Sequence, residues 1–423
     1  MSITKTAMQL KTKILLFFLA AVFFHVSGQS TDSLDIKIGQ MLLIGFPGQE
    51  VDDKVLEEVA NGKVGSIIIF EKNIPAKNSF IALKKIIWTY QKAAPIPLFV
   101  CIDQEGGRVN RLKEKYGFPR SITAAAMGRA ASLDSVRLYG EATAATLAGL
   151  GINVNFAPVV DLASNPDNPI IARYGRAFSA NEDSVSLLAR EFIKTHRKYN
   201  VLTALKHFPG HGSSKDDTHL GIADVTNTWE PRELKPYETL IDSGYADAVM
   251  TSHIVNRNLD PAGNPGTLSD DILTGILRKK LGFRGVVFSD DMQMHAITEH
   301  FGLEEAIRLA ISAGVDIMTF SNNISGSDER TVNKVHSVIR DMVAKGIVSR
   351  ARIDESFRRI IQLKKRLTEE DRTAELLQEL GAIQSALDEA TELLQKANEN
   401  LKEQRVNETN SSTKKARKRN RRL

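Results

Sequence analysis

Cysteine is almost missing from this 423-residue chain. The single Cys101 permits no intramolecular disulfide and no cysteine-based zinc cluster. Long apolar runs are missing as well: Ile14–Phe24 spans eleven residues, well short of the roughly twenty that a comfortable membrane span needs. A net basic charge is absent from the body of the chain. The formal net charge is +5, but residues 414–423 carry seven Lys/Arg and no acid, and residues 1–28 carry three Lys and no acid. That leaves −5 on residues 29–413. This distribution argues against a basic nucleic-acid groove in the main body. What is present is ordinary for a globular protein, at 42% hydrophobic and 25% charged residues, which excludes global disorder.

The first 28 residues read as a secretory signal. Lys5, Lys11 and Lys13 precede the apolar run, and Val26-Ser27-Gly28 offers small residues before a cut near Gln29. An uncleaved anchor is the alternative. No Cys follows the run, so a lipoprotein anchor is excluded. The expectation is an exported protein, periplasmic or extracellular, with no stable membrane span once the signal is removed. Residues 29–366 form the main body, 367–405 a helical segment and 406–423 a polar, then basic, disordered tail. In the helical segment Leu376, Leu380, Ile383, Leu387, Ala390, Leu394, Ala397 and Leu401 alternate spacings of four and three. That is a heptad seam, and it suits either self-association as a coiled coil or an amphipathic helix folded back on the body.

The body alternates short apolar runs with amphipathic helical stretches. Strands are expected at Met41–Phe46, Val64–Phe70, Leu98–Asp103, Val154–Asp161, Thr203–His207, Ala248–His253, Gly285–Asp290 and Ile317–Ser321. Their continuous β-branched character suits a parallel sheet buried on both faces. Helical patterns fall at 77–93, 133–149, 182–199, 231–243, 269–281, 302–314 and 327–345, and 352–366 closes the set. Eight βα units predict an α/β fold, a (β/α)₈ TIM-type barrel with a C-terminal helical extension. An open doubly wound sheet is the runner-up. The glycine fingerprint of such sheets is absent, because Gly45-Phe46-Pro47-Gly48 follows the first strand. Chemically capable residues sit at the strand ends: Asp103, Asp161, Lys206-His207, His253, Asp290 and Ser321-Asn322. In a barrel these ends converge on one mouth.

Three segments carry the chemistry. In Lys206–His219 (KHFPGHGSSKDDTH), Pro209, Gly210 and Gly212 force a tight loop that carries His211 and then Asp217-Thr218-His219. An Asp two residues from a His can fix its tautomer and favour the imidazolium, which can give and retake a proton. Asp290 ends a strong apolar strand, so its carboxylate should face the mouth, whereas Asp291 should point away and cap the next segment. Asp103-Gln104-Glu105-Gly106-Gly107-Arg108, with Arg111 nearby, offers an acceptor and a donor suited to sugar hydroxyls. Three readings follow. A metal hydrolase would draw on His207, His211, His219, His253 and Asp290, but it lacks the H-x-H pair such barrels place after the first strand. A non-catalytic sugar-binding barrel would not require Asp290 together with the Asp217/His219 pair. Glycoside cleavage would use a carboxylate nucleophile and a separate proton donor.

Lys206–Gly212 (KHFPGHG) followed by Asp217-Thr218-His219 resembles the signature of family 3 glycoside hydrolases, in their β-N-acetylglucosaminidase branch. Asp103–Arg111 (DQEGGRVNR), Asn155–Asp161, Thr267–Phe283 and Gly285–Met292 match the same branch, so the resemblance covers about residues 35–366. It implies an exo-acting, retaining β-N-acetylhexosaminidase with no metal and no cofactor. In that scheme Asp290 is the nucleophile and His219 the acid/base, oriented by Asp217. Asp103, Arg111, Arg176, Lys206 and His207 match the sugar-binding positions. The partner it implies is a glycan with terminal β-linked GlcNAc, of peptidoglycan or another source. β-Glucosidase-type and phosphorolytic members remain alternatives. This sequence departs from many family members by having only the heptad stretch after the barrel, and from cytoplasmic members by its signal.

Overall fold

The structure, a computed structural model, describes residues 33–130, 132–217, 221–323, 331–367 and 380–393, positions 386 and 390 apart. Eight strands close into a barrel: β1 Leu42–Gly45, β2 Ser66–Ile69, β3 Phe99–Ile102, β4 Val154–Asn155, β5 Leu202–Phe208, β6 Ala248–Thr251, β7 Val286–Asp291 and β8 Ile317–Phe320. Each pairs in parallel with the next, and β8 returns to β1. An open sheet is thereby excluded. The β-branched runs are buried on both faces, as in Ser66–Ile69 and Phe99–Ile102. Inside the barrel Phe288 packs against Phe156 and Phe99, with ring centroids 5.2 and 6.1 Å apart.

One strand is much shorter than its sequence pattern. Of Val154–Asp161 only Val154–Asn155 joins the ladder, and Val159 touches Lys206 as an isolated bridge. Pro158 has no N–H to donate, so the ladder breaks there. The freed segment turns Asp161 under the mouth.

Helices fill the connections at Asp53–Ala60, Ser79–Ala93, Leu133–Leu150, Glu182–Lys198, Lys235–Asp242, Leu303–Ala313 and Val332–Ala344, and a wider-wound π-helix occupies Asp271–Lys280. The helix after β1, Asp53–Ala60, is absent from the expected set. Its stripe of Val55, Leu56 and Val59 runs over only eight residues, shorter than the window in which helical periodicity stands out. The helix Arg350–Lys364 is therefore not the eighth βα helix but an addition, packed on Leu34–Gln40 below the barrel. Its Lys364 is buried, with Nζ donating to Gln40 and to the Gly65 carbonyl over the Phe99 ring.

Of the heptad seam, Leu380 and Ile383 pack against the barrel core and Leu387 is buried. At Leu380 and Ile383 the seam faces the barrel, as the folded-back alternative expects. Leu376, Ala390, Leu394, Ala397 and Leu401 lie outside the described residues, as do the signal (1–28) and the tail (406–423). Among the described residues no helix is long and apolar enough to cross a membrane.

Candidate active site

The strand ends open into a cavity of about 500 Å³, within the usual range for a small-molecule site. Asp103, Arg111, Arg176, Lys206, His207, Asp217 and Asp290 all line it, together with Glu105, Arg108, His211, Asp291, Phe70, Tyr174 and Met294. His219 lies outside the described residues.

The floor is a continuous charged network. Lys206 is buried at the end of β5, where its Nζ donates to Asp103 (2.8 Å) and to Glu105 (2.6 Å). Arg176 meets both oxygens of Glu105 at 2.8 Å, a planar two-point pairing that fixes the guanidinium. Arg111 reaches the second Asp103 oxygen at 3.4 Å and lies over the Phe70 ring. Burial pushes both carboxyl groups up, but the facing cations outweigh it: Asp103 and Glu105 are held below the usual carboxylate range. They are anions, and Asp103 keeps acceptor capacity toward a sugar hydroxyl.

Glu105 is the residue that sequence reasoning undervalued. A signal was available, because Asp103 and Glu105 are two apart at a strand end and so share a face.

His207 is fixed in one tautomer. Its Nδ1 lies 2.6 Å from the Asp161 carboxylate and its Nε2 lies 3.1 Å from Arg176 Nη2. Arginine only donates, so Nε2 accepts and the proton sits on Nδ1, facing Asp161. Asp161 also accepts the backbone N–H groups of His207 and His211. Burial raises Asp161, and His207 and His211 more than reverse that, so it stays ionised. His211 is pushed down to about 4 by burial and is neutral near pH 7.

The loop after β5 is built to lie against its neighbours. A side chain at Gly212 would place Cβ 1.9 Å from the Leu162 carbonyl oxygen, so only glycine fits. Gly210 adopts φ +120. The Asn168 amide donates to the His211 and Gly212 carbonyls and accepts from Ile170 and Ile171, tying the Arg176 loop to the His211 loop. Beneath them Glu233 is buried and accepts the Gly212 N–H at 3.1 Å.

Burial pushes Glu233 from its ordinary 4.5 up to about 7. The folded state therefore binds this proton more tightly than the unfolded one. The ionisation penalty is absent below pH 4.5, grows as pH rises through the window to about 7, and is then constant. Glu233→Gln is expected to be more stable relative to the native chain at pH 8 than at pH 4.5, by roughly 3 kcal/mol. Urea unfolding at both pH values checks this; a difference independent of pH would contradict it.

Asp290 and Asp291 end β7. The Asp290 N–H donates to Thr251 Oγ1 at 3.2 Å, and its Oδ1 accepts the Asp291 N–H at 2.8 Å. Asp291 does not point wholly away, since it also lines the cavity. Its carboxylate accepts from Gln293 N–H, Ser321 N–H and the Ser321 hydroxyl, closing a local turn and tying β7 to the end of β8; it does not cap the next helix, whose N-cap is Met294. Burial pushes Asp291 up to about 6. His253, included in the metal reading, is buried away from the cavity with both ring nitrogens hydrogen-bonded. Among the described residues, no group of three His, Cys, Asp or Glu is placed to hold a metal ion.

The sequence model described as Glycosyl hydrolase family 3 N terminal domain matches residues 33–363. The chain is 31% identical over 329 residues to Beta-hexosaminidase A of Pseudoalteromonas piscicida, covering 74% of this chain and 55% of that one. It is 33% identical over 285 residues to a Beta-hexosaminidase of Xanthomonas oryzae pv. oryzae, covering 66% and 82%. The chain thus spans about half the length of the first relative and most of the second. A family 3 β-N-acetylglucosaminidase from Paenibacillus sp. FPU-7 superposes with a TM-score of 0.73 at 30% identity, over 83% of this chain and 69% of that one. A β-N-acetylhexosaminidase from Beutenbergia cavernae gives 0.70 at 27% identity, over 79% and 98%.

Proposed function

The chain belongs to glycosyl hydrolase family 3, in its β-hexosaminidase branch, and on that premise we propose that it is an exo-acting, retaining β-N-acetylhexosaminidase. It releases terminal β-linked GlcNAc through a covalent glycosyl-enzyme. The observation that carries this reading is a cavity lined both by Asp290 and Asp217 and by the Asp103–Lys206–Glu105–Arg176 network.

In the first step an Asp290 carboxylate oxygen bonds to the anomeric carbon as the glycosidic bond breaks. The departing oxygen takes a proton from the His219 imidazolium, which Asp217 orients. In the second step water attacks the same carbon, the ester to Asp290 breaks, and neutral His219 takes the water proton. A histidine donor suits this site. A second carboxyl group would have to stay protonated beside the Asp290 charge, and would become an anion after each transfer. Imidazolium becomes neutral, so the incoming nucleophile meets less repulsion.

A panel of chromogenic β-GlcNAc, β-GalNAc and β-Glc substrates, run with and without phosphate, tests the reading. Turnover of β-GlcNAc without phosphate is expected. Turnover only with phosphate would make the enzyme a phosphorylase, and an inert panel would leave only a sugar-binding protein.

We also propose that the protein is exported, on the support of the Lys5–Gly28 pattern. The mature N-terminus is expected at or near Gln29; N-terminal sequencing that starts at Met1 would refute this.

A further inference from the structure

Thr251 ends β6, and the chain continues through Ser252 and His253 to Ile254–Val255. Each part of this short segment engages a different piece of the site. Thr251 Oγ1 accepts the Asp290 N–H at 3.2 Å. His253 Nε2 lies 2.9 Å from the Asp291 carbonyl oxygen, which can only accept, so that nitrogen carries a proton. His253 Nδ1 lies 2.8 Å from Thr267 Oγ1, and Thr267 Oγ1 lies 2.6 Å from Thr251 Oγ1. With a neutral imidazole Thr267 donates to Nδ1, the shorter of its two donor contacts, while the Ser252 carbonyl lies 3.1 Å from the same hydroxyl and shares its one proton. Thr251 donates to Thr267, and the Thr251 lone pair receives the Asp290 N–H. The chain of bonds therefore closes on the Asp290–Asp291 pair from both ends, at the N–H of the first and the carbonyl of the second. All three side chains are fully buried, so no water competes for these bonds.

The strand needs this support. The β7–β8 ladder shifts register between Ile317 and Thr319, beside Asp291. Regular pairing alone does not set the height of Asp290. The next two residues, Ile254–Val255, pair in parallel with Ala223–Asp224, just beyond the loop that carries Asp217.

We propose that His253 is a positioning residue which, through Thr267 and Thr251, sets the attack position of Asp290. It touches no substrate and acts only through the Asp290–Asp291 backbone. The inference rests on Asp290 being the nucleophile.

The test uses the full chain and a 5-fluoro glycosyl fluoride of GlcNAc, which accumulates the covalent adduct because the fluorine slows its hydrolysis. Thr267→Val and His253→Leu are expected to slow adduct formation about tenfold to a hundredfold, as misplacement of a reacting group by about 1 Å does. His253→Gln keeps an N–H for the Asp291 carbonyl and should recover much of the rate. Inhibition by free GlcNAc reads the Asp103, Arg176 and Lys206 side of the cavity and should stay within about twofold, because those groups do not touch the relay. Wild-type rates in both Thr267→Val and His253→Leu would overturn the proposal. So would weakened GlcNAc inhibition that tracks the loss of rate, since that marks a general structural defect, or a Gln variant no faster than Leu. Absence of any Asp290 adduct in the native chain would overturn the nucleophile assignment, and this inference with it.

Discussion

Asp290→Ala is expected to lower kcat on chromogenic β-GlcNAc by roughly 10⁴-fold or more, the scale seen when a covalent nucleophile is removed. The fold should survive. The side chain sits at a partly exposed site, where its Oδ1 accepts the N–H of its neighbour Asp291, and such a hydrogen bond is worth about 1 kcal/mol. Azide gives a second readout. It fits the space left by the carboxylate and attacks the anomeric carbon from the same side, so the variant should form an α-glycosyl azide. Wild-type turnover in Asp290→Ala, with an unchanged circular dichroism spectrum, would contradict the role.

Glu105→Ala should be damaging in a different way. Glu105 holds both Arg176 and Lys206, whose side chains are 10% and 2% exposed. Its removal leaves Lys206 with Asp103, and Arg176 with the Ile170 carbonyl and His207 Nε2. Breaking a buried pair from one side costs about 3–5 kcal/mol. The expected result is a loss of that size in the urea-unfolding free energy together with a fall in kcat/KM of about 10²-fold or more, because the cations lining the cavity lose their fixed positions. The surface pair Arg173–Asp167, 62% and 86% exposed, is the control; breaking it should change stability by less than about 1 kcal/mol. Equal effects at the two sites would refute the importance given to the buried network.

The barrel was legible because its strands are short runs of β-branched residues, such as Ser66–Ile69 and Val286-Val287-Phe288, between amphipathic helices. Its faults have local causes. Pro158 cut β4 short, and Asp53–Ala60 is too short for its apolar spacing to announce itself. The site was legible where a polar residue ends an apolar strand, as with Asp103, Lys206 and Asp290. Arg176 was not, since it comes from an irregular loop held by Asn168 and Glu105, and only the family resemblance pointed to it. The same limit applies to Glu233 and to the Thr251–Thr267–His253 relay. Their partners lie 14 to 39 positions away, and no periodicity records such contacts. The heptad seam shows the opposite limit. Its spacing is real, but spacing alone cannot say whether Leu380, Ile383 and Leu387 cover the barrel or a second copy.

The central claim is a covalent intermediate on Asp290. Treating the native chain with the 5-fluoro glycosyl fluoride of GlcNAc, digesting it and mapping the modified peptide by mass spectrometry tests that claim directly. The account predicts a mass increase of one sugar on Asp290 in the peptide that contains Gly285–Met292. A sugar carried on any other residue, or turnover that releases the inverted α-anomer with no adduct, would contradict it.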